Sequence, residues 1–204
     1  MRRGPFLFLL LVIAALLLRS PAVQARRWTY FEGEVGGMAP LLDGEMRRLF
    51  GPSLMAGLTT GAFYAAPDGP RLGWQVAADF TLFNYRPLDD SNVYRLRLLG
   101  GARFEQPLTG DFRLELHAMG GLDYIVSSIP DTFVGTTVRE EDSNLGPVLE
   151  PAGGVVWQSG QLLMGLMAAL PLSYHHDGDP DDRPADFDYF GVEFDLLFTI
   201  GASL

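Results

Sequence analysis

Ser173 and His175 stand two residues apart with acids close by, a pairing of types that could serve as nucleophile and general base. Spacing alone leaves their mutual geometry open, and a hydrolytic site depends on that geometry. Asp177, Asp179, Asp181 and Asp182 follow directly, hard oxygen donors of the kind Ca²⁺ accepts. The run lacks the glycine and glutamate placement of the helix-flanked calcium loop, so a solvated acidic loop is the plainer reading. The same holds for Arg139-Glu140-Glu141-Asp142. His117, between Glu115 and Asp123, could bind a metal or relay a proton, although a histidine satisfied inside the fold needs no ligand. The chain has no cysteine, which excludes thiolate metal sites, disulfide scaffolds and a lipoprotein anchor. These residues call for no cofactor, and the chain is not expected to be an enzyme.

Arg2 and Arg3 precede the apolar run Pro5–Leu18, and Val23 and Ala25 supply the small residues that signal peptidase needs. The run is too short for a comfortable transmembrane helix. Residues 1–25 therefore read as a cleaved secretory signal peptide, with a retained N-terminal anchor as the alternative, and residues 26–204 as one domain. Cleavage removes three of the 15 basic residues and none of the 25 acidic ones, moving the formal charge from −10 to −13. That balance argues against nucleic acid as a partner. After the leader no apolar run approaches the length of a membrane helix, so a membrane span must be made of strands.

Strands are what must position the candidate residues. Gly, Pro, Asp and Asn clusters divide residues 26–204 into eight alternating segments. They lie near Trp28–Gly37, Pro52–Tyr64, Leu72–Tyr85, Val93–Gln106, Phe112–Val126, Val148–Trp157, Gln161–Tyr174 and Tyr189–Ser203. The pattern predicts an all-β fold, an eight-stranded antiparallel up-and-down transmembrane β-barrel. Most segments exceed a usual globular strand and suffice to cross a bilayer at a tilt. Short turns at 65–70, 107–111 and 158–160 alternate with longer connections at 38–51, 86–92, 127–147 and 175–188. Short turns on one side and long loops on the other mark an outer-membrane barrel, and an even strand number puts both termini on the short-turn, periplasmic side.

In the last segment Phe190, Val192, Phe194, Leu196, Phe198, Ile200, Ala202 and Leu204 share one face, opposite Glu193 and Asp195. Aromatic residues gather near segment ends, Trp28, Trp74, Tyr94 and Trp157 among them, as interfacial girdles do. The polar faces carry glycines, which suit a crowded interior better than a solvated exterior; the alternative is a soluble, lipocalin-like barrel with its apolar face inside. A Gly-Gly-x-x-aromatic repeat (Gly100-Gly101, Gly120-Gly121, Gly153-Gly154) fits tight coiling and close backbone approach. The lumen then holds Arg95, Arg97, Arg103 and Arg113 against Glu32, Glu34, Asp79, Glu105, Glu115, Asp123, Glu150, Glu193 and Asp195. The fourth strand faces the eighth, bringing Arg95 and Arg97 to Glu193 and Asp195, and seam closure is expected to set those acids beside Glu32 and Glu34. A structural ionic network closing the lumen is expected, with a gated narrow conduit as the alternative.

On these patterns the chain resembles the small outer-membrane barrels of diderm bacteria, the OmpA/OmpX/OmpW-like superfamily. Its last strand carries the most specific element. Leu196, Phe198, Ile200, Ala202 and Leu204 match the family's terminal apolar alternation, which the barrel-assembly machinery recognises, although Leu204 stands where the family usually has Phe or Trp. The resemblance implies an outer-membrane location and contact with outer-membrane lipid, lipopolysaccharide and envelope protein partners. Some such barrels, the lipid A deacylases, use a His-x-Ser-Asn run; here Ser precedes His and the Asn is missing. The expected role is non-enzymatic: envelope integrity, surface contact, or a subunit of an envelope assembly. A narrow channel for small solutes is the alternative, and a lipid-modifying enzyme the third reading.

Overall fold

A computed structural model describes residues 26–42, 51–65, 69–83, 92–133, 136–175 and 189–204. These form β1 (Arg26–Leu42), β2 (Ser53–Ala65), β3 (Arg71–Phe83), β4 (Asn92–Pro107), β5 (Phe112–Phe133), β6 (Thr136–Ser159), β7 (Leu162–Ala169), β8 (Leu172–His175) and β9 (Tyr189–Ser203). Every strand pairs antiparallel with its neighbour, and β9 returns to pair with β1. β7 and β8 are two lengths of one wall. Ala169 faces Ala152 and Asp195, Leu172 faces Leu149 and Val192, and the register runs on unchanged between them. The interruption is Leu170-Pro171, where proline has no N–H to give the ladder. Leu170 N still donates to Pro151 O at 3.0 Å, and Pro171 O accepts from Glu193 N at 3.1 Å. The result is a closed eight-stranded antiparallel barrel, whose closure removes sheet edges.

The turns at Leu108–Asp111 and Gly160–Gln161 share one end of the barrel with Arg26 and Leu204. Gly110 (φ 55°) and Gly160 (φ 61°) take the left-handed conformation that lets each strand reverse. At the seam the Leu204 N–H donates to Thr29 O at 2.7 Å.

Three expectations are corrected. The connection expected at 127–147 is mostly ladder, with pairing from Ser127↔Asp142 to Phe133↔Thr136. Ile125-Val126, Thr132-Phe133 and Thr136-Thr137-Val138 are good strand formers, and they outweigh the polar residues between them. β1 likewise runs through Leu42, past Gly37, with an irregular register between Pro40 and Leu42. At the seam Asp195 faces Met38 and Glu193 faces Pro40, whereas Glu32 faces Gly201 and Glu34 faces Thr199. The closing acids therefore sit away from Glu32 and Glu34, because tilted strands must stagger for a barrel to close. The leader (1–25), the acids at Asp177, Asp179, Asp181 and Asp182, and connections 43–50, 84–91 and 176–188 lie outside the described residues.

Candidate functional site

The two faces of the wall are opposite in chemistry. Outward stand Phe31, Leu54, Leu82, Leu98, Leu122, Leu166, Phe198 and Ile200, all exposed. Inward, the largest fully buried side chains are Arg95, Arg97 and Arg103. Period-2 alternation produces both faces from one chain, since every inward residue has outward neighbours. One aromatic departs from the expected girdle. Trp28 packs against the buried cluster of Tyr30, Phe63, Val156 and Leu163, with the Arg71 guanidinium 5.6 Å from its ring centroid.

Toward the long-loop end, β4 and β9 meet across the lumen. Arg95 Nη1 donates to Glu193 Oε1 and Oε2 at 2.6 and 2.8 Å, and Arg95 Nε lies 3.7 Å from Asp123 Oδ1. Arg97 spreads over three acids, Glu150 (2.8 Å), Glu193 (3.0 Å) and Asp195 (3.1 Å). Both Arg97 and Asp195 are 0 % exposed. A buried charge is tolerable only when paired and hydrogen-bonded, and this cluster is arranged that way.

A second cluster lies nearer the turns. Arg103 donates to Glu32 through both terminal nitrogens, one of them at 3.2 Å, and its Nη2 also reaches Glu105 (3.0 Å) and Glu115 (2.8 Å). Its guanidinium also stacks 4.5 Å from the Tyr30 ring centroid. Arg113 Nε lies 3.0 Å from Glu105 Oε2, and Arg71 joins the same carboxylate at 3.5 Å while donating to Gln158 at 2.8 Å. Met38, Met55, Met167 and Leu197 pack into one apolar cluster, and Ala77, Leu99, Met119 and Val148 into another, filling space the ion clusters leave.

The arginines expected in the lumen all face it. Of the expected acids, Glu34 and Asp79 stand apart: among the described residues neither has an arginine within ion-pair distance, and Glu34 receives instead the Thr59 hydroxyl at 3.4 Å. His117 lies between Glu115 (3.2 Å) and Glu150 (3.8 Å), and Asp123 instead faces His175. Ser173 and His175 are both buried. The His175 ring nitrogens lie against Asn144 Oδ1 (2.9 Å) and Asp123 Oδ2 (3.4 Å), so neither ring nitrogen is directed to a serine nucleophile by these contacts. Arg71 and Gln75 were missing from the expected network. Their parity with Asp79 on β3 was the available signal, blurred by Ala77 and Gly73 on the same face.

The sequence matches no protein-family model and no curated protein. Solved structures with a similar course of chain include Neisserial surface protein A, at TM-score 0.49 and 12 % identity over 86 % of this chain and 96 % of that one. The attachment invasion locus protein Ail of Yersinia pestis follows at TM-score 0.46 and 11 % identity, covering 87 % and 98 %. The N-terminal β-barrel domain of Pseudomonas aeruginosa OprF gives 0.39 and 14 %, covering 86 % and 97 %. At these identities and scores neither a residue role nor a location transfers from them to this chain.

Proposed function

We propose that residues 26–204, freed of a signal peptide at 1–25, form a barrel in the outer membrane of a diderm envelope with both termini periplasmic. Its role in this reading is non-enzymatic: structural integrity, surface contact, or a subunit of an envelope assembly. The observation that carries it is the inverted polarity, with Leu54 75 % exposed outside while Arg97 is 0 % exposed inside. So large an apolar exterior is untenable in water, and in a bilayer it becomes the favourable surface. Outer-membrane lipid and lipopolysaccharide are then the surrounding partners, and the barrel-assembly machinery the route of insertion.

Two alternatives remain weaker. Passage of small solutes requires Arg95 and Arg97 to leave Glu193 and Asp195. Lipid hydrolysis at Ser173 requires His175 to leave Asn144 and Asp123. The membrane reading is tested by heat-modifiable migration of the folded chain in detergent gels; a chain that stays soluble without detergent overturns it. Crosslinking in intact cells separates an assembly subunit, which yields a discrete complex, from an isolated structural barrel, which does not.

A further inference from the structure

We propose that Glu34 and Asp79 share one proton across Gly57, which makes the lumen a proton-binding site whether or not it conducts. The three residues form one straight row over β1, β2 and β3, Glu34 opposite Gly57 and Gly57 opposite Asp79. A Cβ on Gly57 would lie 2.3 Å from Asp79 Oδ1 and 2.5 Å from Glu34 Oε1, so both carboxyl groups converge over the glycine. Asp79 is only 3 % exposed, and its Oδ1 is buried with no hydrogen-bond donor. Arg97 is its cross-strand neighbour, yet the Arg97 guanidinium is taken by Glu150, Glu193 and Asp195.

The charged groups around the pair are Glu32 from β1, Arg95 and Arg97 from β4, and Glu150 from β6. Thr59 on β2 and Thr199, opposite Glu34 on β9, add none. Two carboxylates sharing a buried site do not both stay ionised. One proton resolves the geometry, because it turns one orphaned oxygen into a donor and leaves the other as its acceptor. A metal ion is the poorer occupant. Among the described residues no three acidic or histidine side chains are placed to hold a metal ion, and hard cations want more oxygen ligands than two carboxyl groups give. The sign of the linkage follows: the shared proton holds the two strands together when bound, and that contribution is lost as pH rises and the pair becomes two facing charges.

Infrared spectroscopy of the folded chain in detergent at neutral pH reads this directly. The wild type is expected to show a carboxylic-acid C=O band that shifts in D₂O and disappears at alkaline pH. Glu34→Gln and Asp79→Asn are each expected to lose it while keeping the heat-modifiable fold, since an amide N–H can donate to the remaining carboxylate. A wild type without the band overturns the proposal and needs no variant to fold. A band undiminished in both variants, or one that appears only after chelation of divalent ions, overturns it equally.

Discussion

Arg97 gathers three acids in the lumen's long-loop-side ion cluster. Its guanidinium is fully buried and meets Glu150, Glu193 and Asp195 within 3.1 Å. Removing one member of a buried ion cluster leaves the others desolvated and unmatched, which costs roughly 3–5 kcal/mol. Arg97→Ala is therefore expected to lose about that much stability in urea titrations of the vesicle-folded chain. Arg97→Lys should recover only part of it, because a point charge cannot fork to several carboxylates. Equal stability of Arg97→Ala and wild type would mean that the lumen is hydrated and its charges screened. Glu34 behaves differently in this account. Its neighbours are Thr59 and Asp79 and it lies outside the arginine clusters, so Glu34→Gln removes no ion pair among the described residues.

At the scale of the strand, the Gly-Gly repeat separates into two kinds of position. Gly100 and Gly120 point outward, and a Cβ there finds nothing closer than 3.8 and 3.7 Å. A Cβ on Gly121 would lie 1.9 Å from Leu98 O, closer than any Cβ can sit without moving the ladder. Gly121→Ala is expected to destabilise the barrel by roughly 1–3 kcal/mol, the range for forced overpacking, with Gly120→Ala close to neutral. Urea midpoints of the two variants measure the contrast; similar midpoints would remove the close-approach argument. The repeat was legible in the sequence, but which glycine of each pair is indispensable was not, because that depends on the approach of the neighbouring backbone. The eight walls and the facing of Arg95 and Arg97 toward Glu193 and Asp195 were also legible, since alternation fixes the face and turn-linked strands in an up-and-down barrel lie side by side in chain order. The β5–β6 ladder beyond Val126 was not. There the polar composition of 139–144 reads as a loop, and it becomes strand through pairing from Ser127 with Asp142 onward, supported by the strand formers at 125–126, 132–133 and 136–138. Stagger at the seam was hidden for the same reason, and it put Asp195 beside Met38.

For the molecule as a whole, a lumen filled by ion pairs and methionines is expected to carry no large stable current. Planar-bilayer recordings check this, and a persistent nanosiemens-scale opening would require the clusters around Arg97 and Arg103 to part. The placement of the barrel in lipid has a sharper test, because the chain offers two similarly exposed leucines in different settings. Leu166 is 57 % exposed on the wall between Val155 and Phe198, while Leu108 is 53 % exposed in a turn at the barrel end. In water an arginine at either site would be solvated and nearly neutral. In a bilayer the wall position lies in hydrocarbon and the turn lies at or beyond the interface. Leu166→Arg should then cost roughly 2–4 kcal/mol in vesicle folding titrations, and Leu108→Arg about 0–1 kcal/mol. Equal costs at the two sites would argue for a water-surrounded barrel, and the ordering of the two depends on nothing else in the molecule than what the outer wall touches.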